Sequence, residues 1–340
     1  MSEVYELIGA TASPFSVKMR AIMRYRRIPH VWRLRHANMQ TELAPIKPPV
    51  MPYLRYPDGT LHNDTTPLAY DLEQRYAEKR SIVPPDPGLA FLSHLIEDMA
   101  DEWGTRIMAF YRWNHEADRA FVTHWAASEM FRGNSKADQD KASEGFRKRQ
   151  TERLDVLGAH PDNRAILEQT YRSVLSALTS IKATPGFLFG SRPALADFGW
   201  FGQLYQCAMD PTASAIMRKS FPDVFIWLHW LDDSSGIDGT WCEDVDHLPE
   251  PTREMLGLVG NYYLPYLAAN AAAADRGEEI MHISLQGNSI RQQMSRYQVK
   301  CLDWLREEWA AMSLTDRKKI TSILAETNCI GFFDENAGTR

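Results

Sequence analysis

Residues 4–20 constrain this chain most: Val4, Tyr5, Glu6, Leu7 and Ile8 read as a short strand that runs through Thr11, Ala12 and Ser13 into Pro14. Phe15, Met19, Ile22 and Met23 then recur at helical spacing. Proline suits a first helical position, because its φ is preset and the N–H it lacks would have no partner there. Ser13 therefore falls at a helix N-terminus. A serine in that place is an ordinary cap. It is equally a hydroxyl at the positive end of a helix dipole, where an anion meets free backbone N–H groups.

Some forty residues on, Met51 to Tyr56 reads as a strand, Asp58 and Gly59 supply left-handed turn residues, and Thr60 to Asn63 returns. Thr66 with Pro67 then caps a helix whose Leu68, Leu72 and Tyr76 share a face. Pro52 removes a ladder donor near the start of its strand, which predicts an edge or a special geometry such as a cis bond. An edge strand with free backbone groups can pair with a peptide.

At these residues the chain resembles the glutathione transferase superfamily. Its pattern is a thioredoxin-like N-terminal domain with a Ser, Cys or Tyr acting on the sulfur of glutathione, a Val/Met-Pro turn with a cis proline, and an acidic-hydroxyl pair opening the third helix. Ser13 in SPFS, Met51 with Pro52, and Asp64 with Thr65 match these positions. A later block, GFLFGSRPALADF at 186–198, resembles the family's helical domain but has Ala194 where a capping Ser or Thr usually stands. Either the cap hydroxyl is missing or Ser191 supplies it. Residues 221–228 (FPDVFIWL) resemble the segment that introduces a late helix of the family.

The fold this resemblance implies is an α/β thioredoxin-like N-terminal domain over 1–84 and an all-α glutathione transferase C-terminal domain over 89–245. An additional C-terminal helical extension follows over 246–340. The proline-rich SIVPPDPG at 81–88 marks the first boundary. Beyond it Phe91, Leu92, Leu95, Ile96 and Met99 form one helical stripe, and Ile166, Leu167, Val174, Leu175, Leu178 and Ile181 another. Residues 114–162 are more polar and read as a surface excursion. In the extension, Ile290, Met294, Tyr297, Cys301 and Trp304 recur at steps of four and three, which predicts a helix from about 288 with a single apolar seam; Glu308 ends that repeat, and Leu305, Trp309 and Met312 continue the stripe one residue over. Ile320, Ile323 and Leu324 predict a shorter one. An extra helical layer would narrow or cover the family's acceptor cleft.

The activity implied is conjugation of glutathione to an electrophilic, largely apolar small molecule, a detoxification chemistry. Ser13 would stabilise the thiolate, with Phe15, Met51, Pro52, Asp64 and Thr65 binding glutathione. Other hydroxyls near the turn are Tyr5, Thr11 and Ser16; Tyr5 precedes the turn by several residues and Ser16 lies inside the helix. Phe110, Tyr111 and Trp113 line an acceptor pocket in this reading, although a core role explains them as well. The resemblance also implies a homodimer. A glutathione transferase-like interaction module without turnover is the alternative. Thiol-disulfide reduction is disfavoured, because a serine at position 13 forms no mixed disulfide.

Composition narrows the partners. With 44 acidic against 38 basic residues the net charge is −6, and no Lys/Arg block suggests a phosphate stripe, so nucleic acid is not expected. Arg20, Arg24, Arg26, Arg27, Arg33 and Arg35 make the N-terminal region locally basic, which reads as a solvated face. Cys207, Cys242, Cys301 and Cys329 are far apart and show no metal-type pairing. Reduced thiols in a cytoplasmic protein are the expectation. The histidines lack ligand spacing, and the acidic run from Asp232 to Asp246 lacks the order of a calcium loop, so no metal is expected. No apolar run approaches a membrane span, and no signal peptide is apparent.

Overall fold

The computed structural model describes residues 4–77, 80–182 and 186–333. In chain order the elements are β1 (Tyr5–Gly9), α1 (Pro14–Tyr25), β2 (His30–Leu34), α2 (Gln40–Leu43), β3 (Tyr53–Arg55), β4 (Leu61–Asn63) and α3 (Thr65–Arg75). Then come α4 (Pro87–Met99), α5 (Thr105–Asn114), α6 (Glu116–Met130), α7 (Lys136–Thr151), α8 (Arg164–Thr179), α9 (Leu195–Met209), α10 (Pro211–Ser220) and α11 (Pro222–Asp232). The chain continues with α12 (Glu250–Leu258), α13 (Leu264–Asp275), β5 (Ile280–Leu285), β6 (Asn288–Gln293), α14 (Arg296–Ala311) and α15 (Leu314–Glu326). Contacts divide the chain into two compact units built from interleaved stretches: 1–82, 111–152 and 201–238 form one, and 83–110, 153–200 and 239–340 the other.

The first unit holds a mixed sheet in the order β2-β1-β3-β4, with β1 and β2 parallel and the other pairs antiparallel. Alternation along β1 sorts its side chains between two cores. Tyr5 and Leu7 pack with Met19 and Met23 of α1, Leu54, and Leu68 and Leu72 of α3, while Ile8 turns to the other face with Met39, Leu43 and Tyr53. This is the thioredoxin-like arrangement expected, and Tyr76 packs against the first of these cores as its spacing predicts. In the hairpin turn Gly59 alone of the expected pair is left-handed, at φ 89°, while Asp58 is not and its carboxylate accepts from Thr60 N–H at 2.8 Å. Of the two geometries that Pro52 allowed, the structure has the cis peptide bond with Met51; the strand that follows is interior, paired on both sides, and not an edge. Helix α3 starts at Thr65 after Asp64, which has φ 76°, so Thr66 lies inside the first turn and is not the cap.

Helices α6 and α7 occupy the polar stretch between 114 and 162; α7 has no buried residue, as a surface excursion requires. In the second unit the predicted stripe of α4 is buried throughout, and so are Ile166, Leu167, Val174, Leu175 and Leu178 of α8.

The extension departs from its predicted form. Residues 280–293 make a β-hairpin, β5 against β6, with Ile283 opposite Ile290, and helix begins only at Arg296. Tyr297 and Trp304 stand half-exposed in edge contact with each other, while Cys301, Leu305 and Trp309 are buried as the stripe predicts, together with Gln298 and Leu302. The four-and-three repeat therefore mixes a strand residue, Ile290, and two residues of the solvent side with the buried stripe of the helix. Helix α15 buries Ile320, Ile323 and Leu324 as predicted. Phe91 of α4 meets both Trp309 and Phe333, with ring centres 5.6 and 5.4 Å away. Cys207, Cys301 and Cys329 are buried, Cys242 is partly exposed, and none of the four forms a disulfide.

Candidate active site

The loop between β1 and α1 carries Ser13 as the N-cap of α1, in extended backbone, and its Oγ accepts a hydrogen bond from Ser16 N–H at 3.3 Å. A hydroxyl that accepts in this way keeps its own proton to donate. The neighbouring hydroxyls are committed elsewhere. Thr11 Oγ1 donates to Glu129 of α6 and accepts from Trp125 Nε1 at 2.9 Å. Ser16 is wholly buried, with its Oγ accepting from Ala10 N–H at 3.3 Å, and Tyr5 lies in the core, 5.2 Å from Tyr56 between ring centres. Phe15, on the first turn of α1, is partly exposed.

Strand register fixes what shares this end of the sheet. Ile8 is opposite Tyr53, and Tyr53 is opposite Asn63. Because β1 and β4 are both antiparallel to β3, they leave the sheet in the same direction. The loop to Ser13, the Met51–Pro52 peptide just before β3, and Asp64 with Thr65 just after β4 are thus neighbours along one edge row. Helices α1 and α3 both start there, and their positive ends favour anionic groups at that edge. Asn63 Nδ2 straps the preceding loop by donating to the Pro48 and Val50 carbonyls, the latter at 3.2 Å. Thr65 is buried, while Asp64 is partly exposed and its side chain makes no capping bond to α3.

Behind the Ser13 loop lies a polar network that the sequence reading missed. Arg112 of α5 grips Asp210 with two hydrogen bonds, Nε to Oδ2 at 2.8 Å and Nη2 to Oδ1 at 3.1 Å. The same guanidinium donates to Gln206 Oε1 at 2.7 Å and to the Ala12 carbonyl at 2.8 Å. Gln206 of α9 donates in turn to the Thr11 carbonyl at 3.0 Å, and Thr11 N–H donates to Glu129 at 3.0 Å. Arg112 and Asp210 are 4% and 0% exposed, so this is a desolvated ion pair with its lone pairs and protons satisfied. Burial pushes the Asp210 carboxyl up from its ordinary range, and the charge of Arg112 opposes that rise. The available signal was an arginine set among Phe110, Tyr111 and Trp113, where a helix interior tolerates charge only with a partner. Those three aromatics are buried, at 2%, 1% and 5% exposure; Trp113 packs edge-on with Phe146 of α7 and Tyr111 stacks on His115.

The basic region is a solvated face in part: Arg27 and Arg33 are exposed while Arg26 is buried, and its arginines are bonded within the protein. Arg20 and Arg24 meet Asp232, Arg26 is buried against Glu73 and the Tyr76 carbonyl, and Arg27 donates to the Ser235 carbonyl. Arg33 pairs with Glu6, and Arg35 with Gln40. The acidic run is distributed in the same way: Asp232 as above, Asp238 to Arg80, and Asp244 to His247. Among the described residues no group of His, Cys, Asp and Glu could hold a metal ion, and no helix is long and apolar enough to cross a membrane.

Fold and site together define a thioredoxin-like domain with a hydroxyl at the first helix N-terminus, attached to a mostly helical region. The family model for the glutathione S-transferase N-terminal domain matches residues 7–80, the stretch that holds Ser13 and most of the sheet. A search of curated proteins finds no match. Among solved structures, a glutathione transferase from Phanerochaete chrysosporium aligns over 70% of this chain and 100% of its own at 13% identity, with a TM-score of 0.50. A glutathione S-transferase from Methylobacterium radiotolerans in complex with glutathione sulfonate aligns over 71% and 99% at 17% identity, TM-score 0.43. A GST-like protein from Pseudomonas syringae aligns over 68% and 67% at 19% identity, TM-score 0.45.

Proposed function

We propose that the protein is a glutathione transferase in which Ser13 donates a hydrogen bond to the thiolate of glutathione. The observation that carries this reading is that Ser13 is partly exposed with a hydroxyl that only accepts, whereas Thr11 donates to Glu129 and Ser16 and Tyr5 are buried, and that Ser13 lies at the edge where two helix N-termini, the residues ahead of β3 and Asp64 converge. Glutathione would lie extended, its cysteinyl backbone paired with the main chain of Met51 ahead of Pro52. Asp64 would take its ammonium, and Thr65 with the amides of α3 its carboxylate. The sulfur would then meet Ser13, with Phe15 beside it.

A free thiol has a pKa near ~8.5, so little of it is thiolate at neutral pH. A lowering of about two units, or roughly 2.7 kcal/mol, makes the thiolate dominant. One hydroxyl donor with the dipole of α1 is of the right size for that. The thiolate would attack an electrophilic, largely apolar small molecule; the buried Phe110, Tyr111 and Trp113 fit the core role that the sequence also allowed. A cytoplasmic homodimer completes the proposal, and sizing in solution checks the dimer.

Calorimetric titration with glutathione, followed by ultraviolet thiolate absorbance, tests the reading. The wild type is expected to bind with a thiolate signal, and Ser13→Ala to bind while losing on the order of 10- to 100-fold in thiolate stabilisation, as loss of a hydrogen bond to a charged group implies. Absence of binding at millimolar glutathione would overturn it and favour a non-catalytic interaction module.

A further inference from the structure

We infer that Arg112, acting with Gln206, is a positioning residue for Ser13: the buried Arg112–Asp210 pair orients the two carbonyls just ahead of Ser13 and so sets the direction of its hydroxyl. This rests on the proposed role of Ser13. The Ala12 carbonyl belongs to the rigid peptide plane that leads into Ser13. Fixing that oxygen on Arg112 at 2.8 Å fixes the plane from which the Ser13 φ of −103° is measured. Gln206 fixes the preceding plane through the Thr11 carbonyl at 3.0 Å, and Glu129 takes the Thr11 N–H. On the far side, Ser13 N–H donates to the Ala10 carbonyl at 3.1 Å and the Ser13 carbonyl accepts from Val17 N–H at 3.1 Å. The loop is thus held from both sides, and only the hydroxyl proton is left to turn outward.

Arg112 suits this task better than a lysine would. Its fork takes Asp210 through two nitrogens and still presents a third N–H group, in the same plane, to Ala12. The Asp210 anchor is itself fixed at the junction of α9 and α10, where Asp118 of α6 also accepts from Thr212 N–H at 2.8 Å. A displacement of about 1 Å in a reacting group can cost on the order of 100-fold in rate. Small changes in this buried network are therefore expected to reach the sulfur without touching glutathione.

Thiolate absorbance of bound glutathione against pH, calorimetric affinity and the unfolding midpoint are measured for wild type, Ser13→Ala, Arg112→Lys, Gln206→Met and the double variant Gln206→Met/Ser13→Ala. Arg112→Lys and Gln206→Met are expected to keep glutathione affinity, because Met51, Asp64 and Thr65 are untouched, while the thiolate signal at neutral pH falls several-fold. Adding Ser13→Ala to Gln206→Met is expected to bring little further loss. If Arg112→Lys does not fold, Gln206→Met decides alone. An undiminished signal in the folded variants, with Ser13→Ala silent, overturns the inference and leaves the transferase reading standing. Loss of affinity and signal in step with the unfolding midpoint also overturns it. A wild type without a thiolate signal removes the transferase reading and the inference with it.

Discussion

Ala194 stands just ahead of α9 with no side-chain group to cap it, yet both halves of a capping box are present. Asp197 at the third helical position accepts from Ala194 N–H at 2.8 Å, and also from Leu188 N–H at 2.8 Å. The missing hydroxyl comes from Ser93 of α4, whose Oγ accepts from Ala196 N–H at 3.2 Å across 103 positions of sequence. Ser191, the local candidate, instead exchanges hydrogen bonds with Thr240. Ser93→Ala should therefore cost about 1 kcal/mol in denaturant unfolding, the usual worth of a capping hydroxyl, and Ala194→Ser on that background should recover part of it. At this scale the sequence was legible wherever chemistry is local: Ser13 with Pro14, Asp58 with Gly59, and Met51 with Pro52 sit where their residue types require. Ser93, Arg112, Gln206 and Glu129 were not legible, because each acts on a backbone group far along the chain and leaves no spacing to read. One more residue tests the site directly: Asp64→Asn should weaken glutathione binding by on the order of tenfold in calorimetry, the worth of a charge-assisted bond.

Between elements, close approach can reverse what propensity predicts. Gly202 lies within α9, where alanine normally gains about 1 kcal/mol over glycine. A Cβ there would stand 2.7 Å from the Pro14 carbonyl oxygen and 3.0 Å from Lys18 Cβ, both on α1. The first of these is backbone and cannot swing away. Gly202→Ala is expected to destabilise by about 1–3 kcal/mol in denaturant unfolding, with α1 displaced at its first turn. The contact of α4 with α14 makes a pH-dependent pair. Burial alone would lower the pKa of His94, but hydrogen bonding and charge from Glu308, with Glu97 and Asp98, raise it to about 9. A histidine raised in the folded state contributes stability that is complete below about 6.5 and is lost as pH rises through about 9. Asp98, which accepts from Tyr263 at 2.6 Å and is raised by burial to about 7, titrates in the same neighbourhood. The difference between wild type and His94→Gln isolates the histidine: the variant's deficit should be present at pH 6 and shrink at higher pH. The β5–β6 hairpin shows why the extension was misread. Its apolar residues fit two periods, and the deciding signal was the turn, where Gln286 and Gly287 take φ of 48° and 78°.

For the molecule as a whole, residues past 246 are part of a core and not an appendage. Gly88 at the start of α4 faces Ile320, Asp86 pairs with Lys319, and Phe91 sits with Trp309 and Phe333. A chain truncated after residue 246 would uncover these apolar surfaces. Loss of soluble protein or of cooperative thermal unfolding is expected, where a chain with a dispensable layer would keep both. The same holds around Ser13. The stretch recognisable as a family domain, 7–80, contains the hydroxyl but none of the side chains that hold its loop from behind, which come from 111–152 and 201–238. A chimera that exchanged the first 82 residues for those of another thioredoxin-like domain would carry over the Ser13 loop and leave behind Arg112, Glu129 and Gln206, so the backbone bonds that hold the loop would be kept only if both stretches were exchanged together.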